Sequence, residues 1–282
     1  MTTDVRTGLT VPIFGPLAEP GVVAELAARA EDAGWDGCFV WDHVVYRRDP
    51  DGPDPHGRAD LPVADPWITL AAIATATERV RLGPLVTPLP RRRPHVLARA
   101  TTTLDRLSGG RLVLGVGIGG DGYGEFSDFG DEVDPRTRGA MLDERLDLLR
   151  ALWSGEVVDF ERDHARATDV VFHPRPVQRP GPPVWAAGRF PNRAPLRRAV
   201  GLDGFFPIDL DGPDDLAAVV TAARELRGDL DGWDLVAQGM PGDDPRPWVA
   251  AGATWWLTTL RPWGLDLDEV ASVVDTGPPP VE

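Results

Sequence analysis

An aspartate and a histidine, Asp42 and His43, directly follow the apolar run Phe39-Val40-Trp41. Histidine gains and loses a proton near neutral pH, so one at a strand end is a candidate general acid or base. The adjoining carboxylate is positioned to orient it. The same pair also reads as a capping aspartate beside a surface histidine. Arginines form a second constellation: Arg47 and Arg48 after the second apolar run, Arg91, Arg92 and Arg93 after the third, Arg189 and Arg193 after the fifth. In a chain of formal net charge −15, this grouping points to an anionic ligand, most simply a phosphate. Solvated loops are the alternative. A helix start near Pro191 and Asn192 would add free backbone N–H groups for such an anion.

Gly115, Gly117 and Gly120 have the spacing G-x-G-x-x-G. The dinucleotide fingerprint requires a helix to begin at once, and here Gly122, Tyr123 and Gly124 continue a loop. Close packing, or approach of a flat ligand to bare backbone, accounts for these glycines better. The chain has neither G-x-S-x-G nor H-E-x-x-H. Its five histidines, at 43, 56, 95, 164 and 173, lack metal-ligand spacing, so no metal site is expected. A metal-dependent barrel hydrolase with scattered ligands is the third reading.

The polar groups gather where strand-like runs end. Eight such runs are legible: 5–13, 37–41, 80–86, 111–117, 184–187, 204–207, 233–237 and 254–258. Helical patterns lie between most of them, including one opened by Pro20 and those at 67–77, 96–107, after Asp134-Pro135, and at 214–227 and 267–273. The segment 242–252 is too short for a full seventh helix. The class is therefore α/β, a (β/α)8 TIM barrel whose chemistry sits beyond the strand C-termini. Loop insertions at that face, 47–62 and 119–133, resemble active-site lids, and 157–172 reads as an outlying hairpin. A doubly wound open sheet is the alternative. One domain over 1–277 is expected, with 278–282, around Pro278-Pro279-Pro280, as a frayed tail.

Composition narrows the partners. The 282 residues are 42% hydrophobic, enough for one large core. The acidic balance argues against nucleic-acid or membrane binding. All 29 basic residues are arginine, which coding bias explains most simply. Cys38 is alone, so no internal disulfide is possible. No basic-then-apolar leader opens the chain, and no apolar run nears the ~20 residues that span a bilayer. A cytoplasmic enzyme acting on a small molecule is expected, and its aromatic content allows a homodimer.

Ordered landmarks then add a resemblance. They are Ala30-Glu31-Asp32-Ala33-Gly34-Trp35-Asp36-Gly37, Trp41-Asp42-His43, Asp65-Pro66-Trp67, Leu82-Gly83-Pro84-Leu85-Val86-Thr87-Pro88 and Arg92-Arg93-Pro94. Further on come Leu104-Asp105-Arg106-Leu107-Ser108-Gly109-Gly110-Arg111, Leu114-Gly115-Val116-Gly117 and Leu152-Trp153-Ser154-Gly155. In this order they resemble the bacterial luciferase-like family of flavin- and deazaflavin-dependent oxidoreductases. The resemblance implies an FMN or coenzyme F420 ring at the barrel mouth, with F420 slightly favoured. It implies Asp42 and His43 beside the ring, His43 handling the proton, and Leu85, Val86 and Thr87 supporting the other face through a backbone bulge. Gly117, Ile118 and Gly119 would run along the cofactor. Ala187, Gly188 and Arg189 would meet its ribityl-phosphate arm, and Arg91–Arg93 its acidic end. The implied activity is hydride transfer with F420, or monooxygenation with reduced FMN supplied by a reductase. The alternative is a degenerate cofactor-binding barrel without turnover.

Overall fold

The computed structural model describes residues 5–46, 61–261 and 266–282. Its elements in chain order are β1 (Arg6–Val11), α1 (Pro20–Asp32), β2 (Gly37–Val40), α2 (Pro66–Ala76), β3 (Arg81–Pro84), β4 (Thr87–Pro88), α3 (Pro94–Leu107) and β5 (Leu114–Gly117). Then follow α4 (Pro135–Trp153), β6 (Val157–Glu161), β7 (Arg166–Val171), β8 (Val184–Arg189), α5 (Arg193–Ala199), β9 (Gly204–Ile208), α6 (Pro213–Arg227), β10 (Asp234–Gly239), α7 (Arg246–Ala250), β11 (Trp255–Thr259) and α8 (Leu267–Thr276).

Nine strands form one parallel sheet in the order β3-β2-β1-β11-β10-β9-β8-β5-β4. A parallel bridge between Leu82 and Leu112 joins its ends, so the sheet wraps into a barrel. The strands are covered on both faces, which is why they read as nearly continuous apolar runs. β6 and β7 make the expected antiparallel hairpin outside it. Five helices begin with proline, whose fixed φ and missing N–H suit the first turn. Asp65, Asp134, Asn192 and Asp266 cap the starts of α2, α4, α5 and α8 with their side chains.

Alternate strand residues point inward. Phe39, Val113, Trp185, Ala187, Phe206, Val236, Trp255 and Leu257 fill the barrel as one buried cluster. At its N-terminal end the Trp185 and Trp255 indoles donate to Asp234, at 3.0 and 3.2 Å. Two larger clusters lie between sheet and helices.

Several landmark residues serve the fold rather than chemistry. Glu31 accepts backbone N–H bonds from Glu78, Arg79 and Val80, tying α1 to the start of β3. Asp105 accepts from the backbone of Val177 and Gln178. Buried Arg111 donates to Ser108, Ala74, Val80 and Thr77. Gly83 permits the β3–β5 contact, because a Cβ there would lie 1.8 Å from the Val113 carbonyl oxygen.

Element bounds differ from expectation in three informative places. The third run is broken: β3 ends at Pro84, the Leu85–Val86 peptide is cis, and pairing resumes at Thr87 with β5. The fourth strand is regular only from Leu114, residues 111–113 contributing the closing bridge. β10 runs two residues past 237, adding Gln238 to the mouth. α7 has only five residues, as the short segment implied. Residues 278–282 form no regular element.

Candidate active site

The C-terminal ends of the barrel strands bring Asp42, His43, Thr87, Arg91, Arg92 and Glu125 into one network. Glu125 sits in the loop after β5 and is buried. Its Oε2 lies 2.8 Å from His43 Nδ1, and its Oε1 accepts from Val44 N and Arg91 Nη1, both at 2.8 Å. Burial opposes ionisation of Glu125, but these bonds with His43, Arg91 and Val44 outweigh it and hold the carboxyl below its usual range. A carboxylate can only accept, so His43 donates from Nδ1. That tautomer leaves Nε2 for a substrate or cofactor proton.

The histidine ring is also held by aromatic edges. Phe14 and Tyr46 meet it in T-shaped contacts with centroids 5.7 and 5.1 Å away, and Trp41 and Tyr123 flank it at 6.1 Å. Its side chain is nevertheless 26% exposed, so the free edge is reachable.

The expectation that Asp42 orients His43 is corrected by this geometry. Asp42 is buried, accepts from the Thr87 hydroxyl, and pairs with Arg91 at 2.8 Å and Arg92 at 2.7 Å. Its position facing the loop after β4 puts its carboxylate among those donors. Arg91 spans Asp42 and Glu125, locking together the loops that follow β2, β4 and β5. Arg91 and Arg92 thus face carboxylates, and the picture of an open anion site at 91–93 is corrected accordingly. Arg93 is exposed at the start of α3 and makes no ion pair among the described residues.

The other expected residues take distinct places. Leu85 and Val86 pack on the upper edge of the barrel interior, with Ala187 and Phe206. Gly117, Ile118 and Gly119 continue β5 into the loop carrying Glu125. Gly119 has φ +73°, and a Cβ there would press on Phe126 and Pro88 at 2.8 and 2.9 Å. Gly188 gives room to Pro195, which a Cβ would approach to 2.2 Å. Arg189 is exposed and pairs with Asp209, while Arg193 pairs with Glu225. Arg47 and Arg48 lie outside the described residues.

Glu125 escaped the sequence reading. It is one acid in a polar loop, with no spacing that ties it to His43. Thr10, Gln238 and Thr259 were missed too, because they read as the polar ends of apolar strands.

Residues 4–250 match the model of the luciferase-like monooxygenase family. The chain belongs to that family. It is 37% identical over 171 residues to an F420-dependent glucose-6-phosphate dehydrogenase of Amycolatopsis mediterranei, covering 60% of this chain and 48% of that protein. A Nakamurella multipartita protein of the same name is 35% identical over 187 residues, covering 66% and 51%. The chain thus spans about half the length of these relatives. An uncharacterised Mycobacterium bovis protein is 33% identical over 226 residues, with 75% and 78% covered. Among solved structures, an F420-dependent secondary alcohol dehydrogenase superposes with TM-score 0.78 at 18% identity, covering 96% and 97% of the two chains. These structures share the fold. No described helix is long and apolar enough to cross a membrane.

Proposed function

We propose that this chain is an oxidoreductase that moves hydride between coenzyme F420 and a small organic substrate, with His43 as the proton-handling group. The observation that carries this reading is the 2.8 Å contact between His43 Nδ1 and buried Glu125, at the mouth of an apolar barrel. Asp42 holds the loop beneath His43 and is a positioning residue.

The mouth suits a flat, largely apolar ring. Leu85, Ala187 and Phe206 are each 5–8% exposed at the upper edge of the interior cluster, with half-buried Val86 and Ile208 against them. They would form the floor for the ring, with Trp41 and His43 at its side. The ends of β5 and β8, Gly117–Gly119 and Ala187–Arg189, would follow the ribityl-phosphate arm, and exposed Arg93 would meet the acidic end. A bound deazaflavin supplies a two-electron hydride centre that the protein lacks. His43 Nε2 takes or gives the accompanying proton, Glu125 stabilises the charged imidazole, and the aromatic surround keeps water from its faces. The names of the relatives support F420 over FMN.

Parallel fluorescence titrations with F420 and FMN test the reading. Binding of F420 alone is expected. Binding of FMN alone would redirect it to a monooxygenase fed by a reductase. Binding of neither would leave a barrel without turnover.

A further inference from the structure

The barrel mouth carries a second polar device, away from the His43–Glu125 pair. Gly8 faces the interior, since a Cβ there would meet Leu257 at 2.9 Å. Thr10, two residues on, shares that face by strand alternation. Gln238 shares the face of Val236, and Thr259 that of Leu257, both interior residues. The three strands are neighbours in the order β1-β11-β10. All three side chains therefore form the uppermost inward layer, above the apolar cluster. They are linked: the Thr10 hydroxyl lies 2.9 Å from that of Thr259, which lies 3.2 Å from Gln238 Oε1.

The direction of this relay follows from the donors. A carbonyl oxygen cannot donate, so Thr259 gives its one hydrogen to Gln238, and Thr10 gives its own to Thr259. The glutamine amide is thereby oriented, and its Nε2 has no acceptor among the described residues. It presents N–H groups to the mouth, and these recognise an oxygen acceptor.

The surrounding charge restricts what carries that oxygen. The loop after β10 holds Asp243 and Asp244, the latter paired with Arg246. Arg189 across the mouth is paired with Asp209. Arg261, exposed two residues beyond β11, is the one cation of this quadrant without a partner among the described residues. Among the described residues, one cation stands beside Asp243, which accepts from Met240 N and makes no ion pair, so they give no net positive field. A phosphate dianion is held by several charge-assisted donors, and the described residues of this quadrant do not assemble them.

We infer that Gln238, oriented by Thr259 and Thr10, selects an uncharged substrate that presents a hydroxyl or carbonyl oxygen, an alcohol or its ketone, rather than a sugar phosphate. This rests on the mouth being the substrate site proposed above. Glucose and glucose 6-phosphate make a matched pair of probes, with short secondary alcohols and their ketones beside them. Binding is read by thermal shift, with and without F420, and turnover by F420 absorbance. Neutral probes should bind and turn over, and the phosphate should give no advantage. Gln238→Leu should raise KM about tenfold, the scale of one lost neutral hydrogen bond, with kcat and F420 affinity little changed. Three results would each overturn the inference: glucose 6-phosphate binding at least tenfold better than glucose and losing that advantage in Arg261→Ala, no neutral probe binding, or an unchanged KM in Gln238→Leu. Loss of F420 binding would instead overturn the cofactor reading, and thermal shifts on the cofactor-free protein would still score the subsite.

Discussion

His43 and Glu125 are 82 residues apart in the chain, yet Nδ1 and Oε2 meet at 2.8 Å. One residue follows β2 and the other lies beyond β5, and Arg91 from the intervening loop holds Glu125 in place. The histidine proposed to handle the proton is thus fixed by a carboxylate whose own charge is secured.

His43→Ala should lower kcat by about a hundred- to ten-thousandfold, the usual contribution of a positioned acid or base. F420 affinity should change only a few-fold. Steady-state turnover beside a fluorescence titration checks both, and unchanged turnover would remove His43 from the chemistry.

Glu125→Gln should destabilise the fold at pH 7 by about 3 kcal/mol, because it leaves buried Arg91 partly uncompensated. The sign with pH follows from the lowered carboxyl. A depressed folded pKa contributes stability above the ordinary carboxylate range, and this is lost as pH falls through the folded value. The gap between wild type and variant should therefore shrink on acidification. Urea unfolding at neutral and acidic pH measures it, and a gap that widened would contradict the assignment.

Gly83→Ala should be among the most damaging small changes, since the added carbon would sit 1.8 Å from the Val113 carbonyl oxygen. Both sides of the clash are backbone, so relief requires parting β3 from β5. A loss of about 3 kcal/mol or more is expected, at or above the top of the usual range for overpacking. Circular-dichroism melting shows this. Gly120→Ala is the control, because a Cβ there meets nothing within 4 Å.

Cys38 is buried, and burial pushes its thiol up from 9.0 to about 12. The thiolate is the reactive form. A native-state thiol reagent should therefore label it about a thousandfold more slowly at neutral pH than in urea, by that three-unit shift. Rapid labelling of the folded protein would show that β2 opens readily.

Much of the barrel was readable in one dimension. Apolar runs of strand length, prolines at helix starts and Asp65 and Asp134 as caps are local signals, so seven of the helices and the outlying hairpin could be placed. The break at Leu85–Val86 left no local signal of its own, because Leu82-Gly83-Pro84-Leu85-Val86 carries no polar side chain, and only the family resemblance implied a bulge there. Ala237 looked like a strand end because Gln238 is polar, although the pairing of β10 with β11 carries it into the mouth.

Sequence by itself determined the α/β class and the strand ends, and it singled out His43 as the candidate for moving a proton, because each depends on neighbours close in the chain. Only the tertiary structure decided which carboxylate serves that histidine. Asp42 is adjacent in sequence, but a peptide bond does not dictate where a side chain points. Barrel closure turned Asp42 toward Thr87, Arg91 and Arg92, and delivered Glu125 to His43.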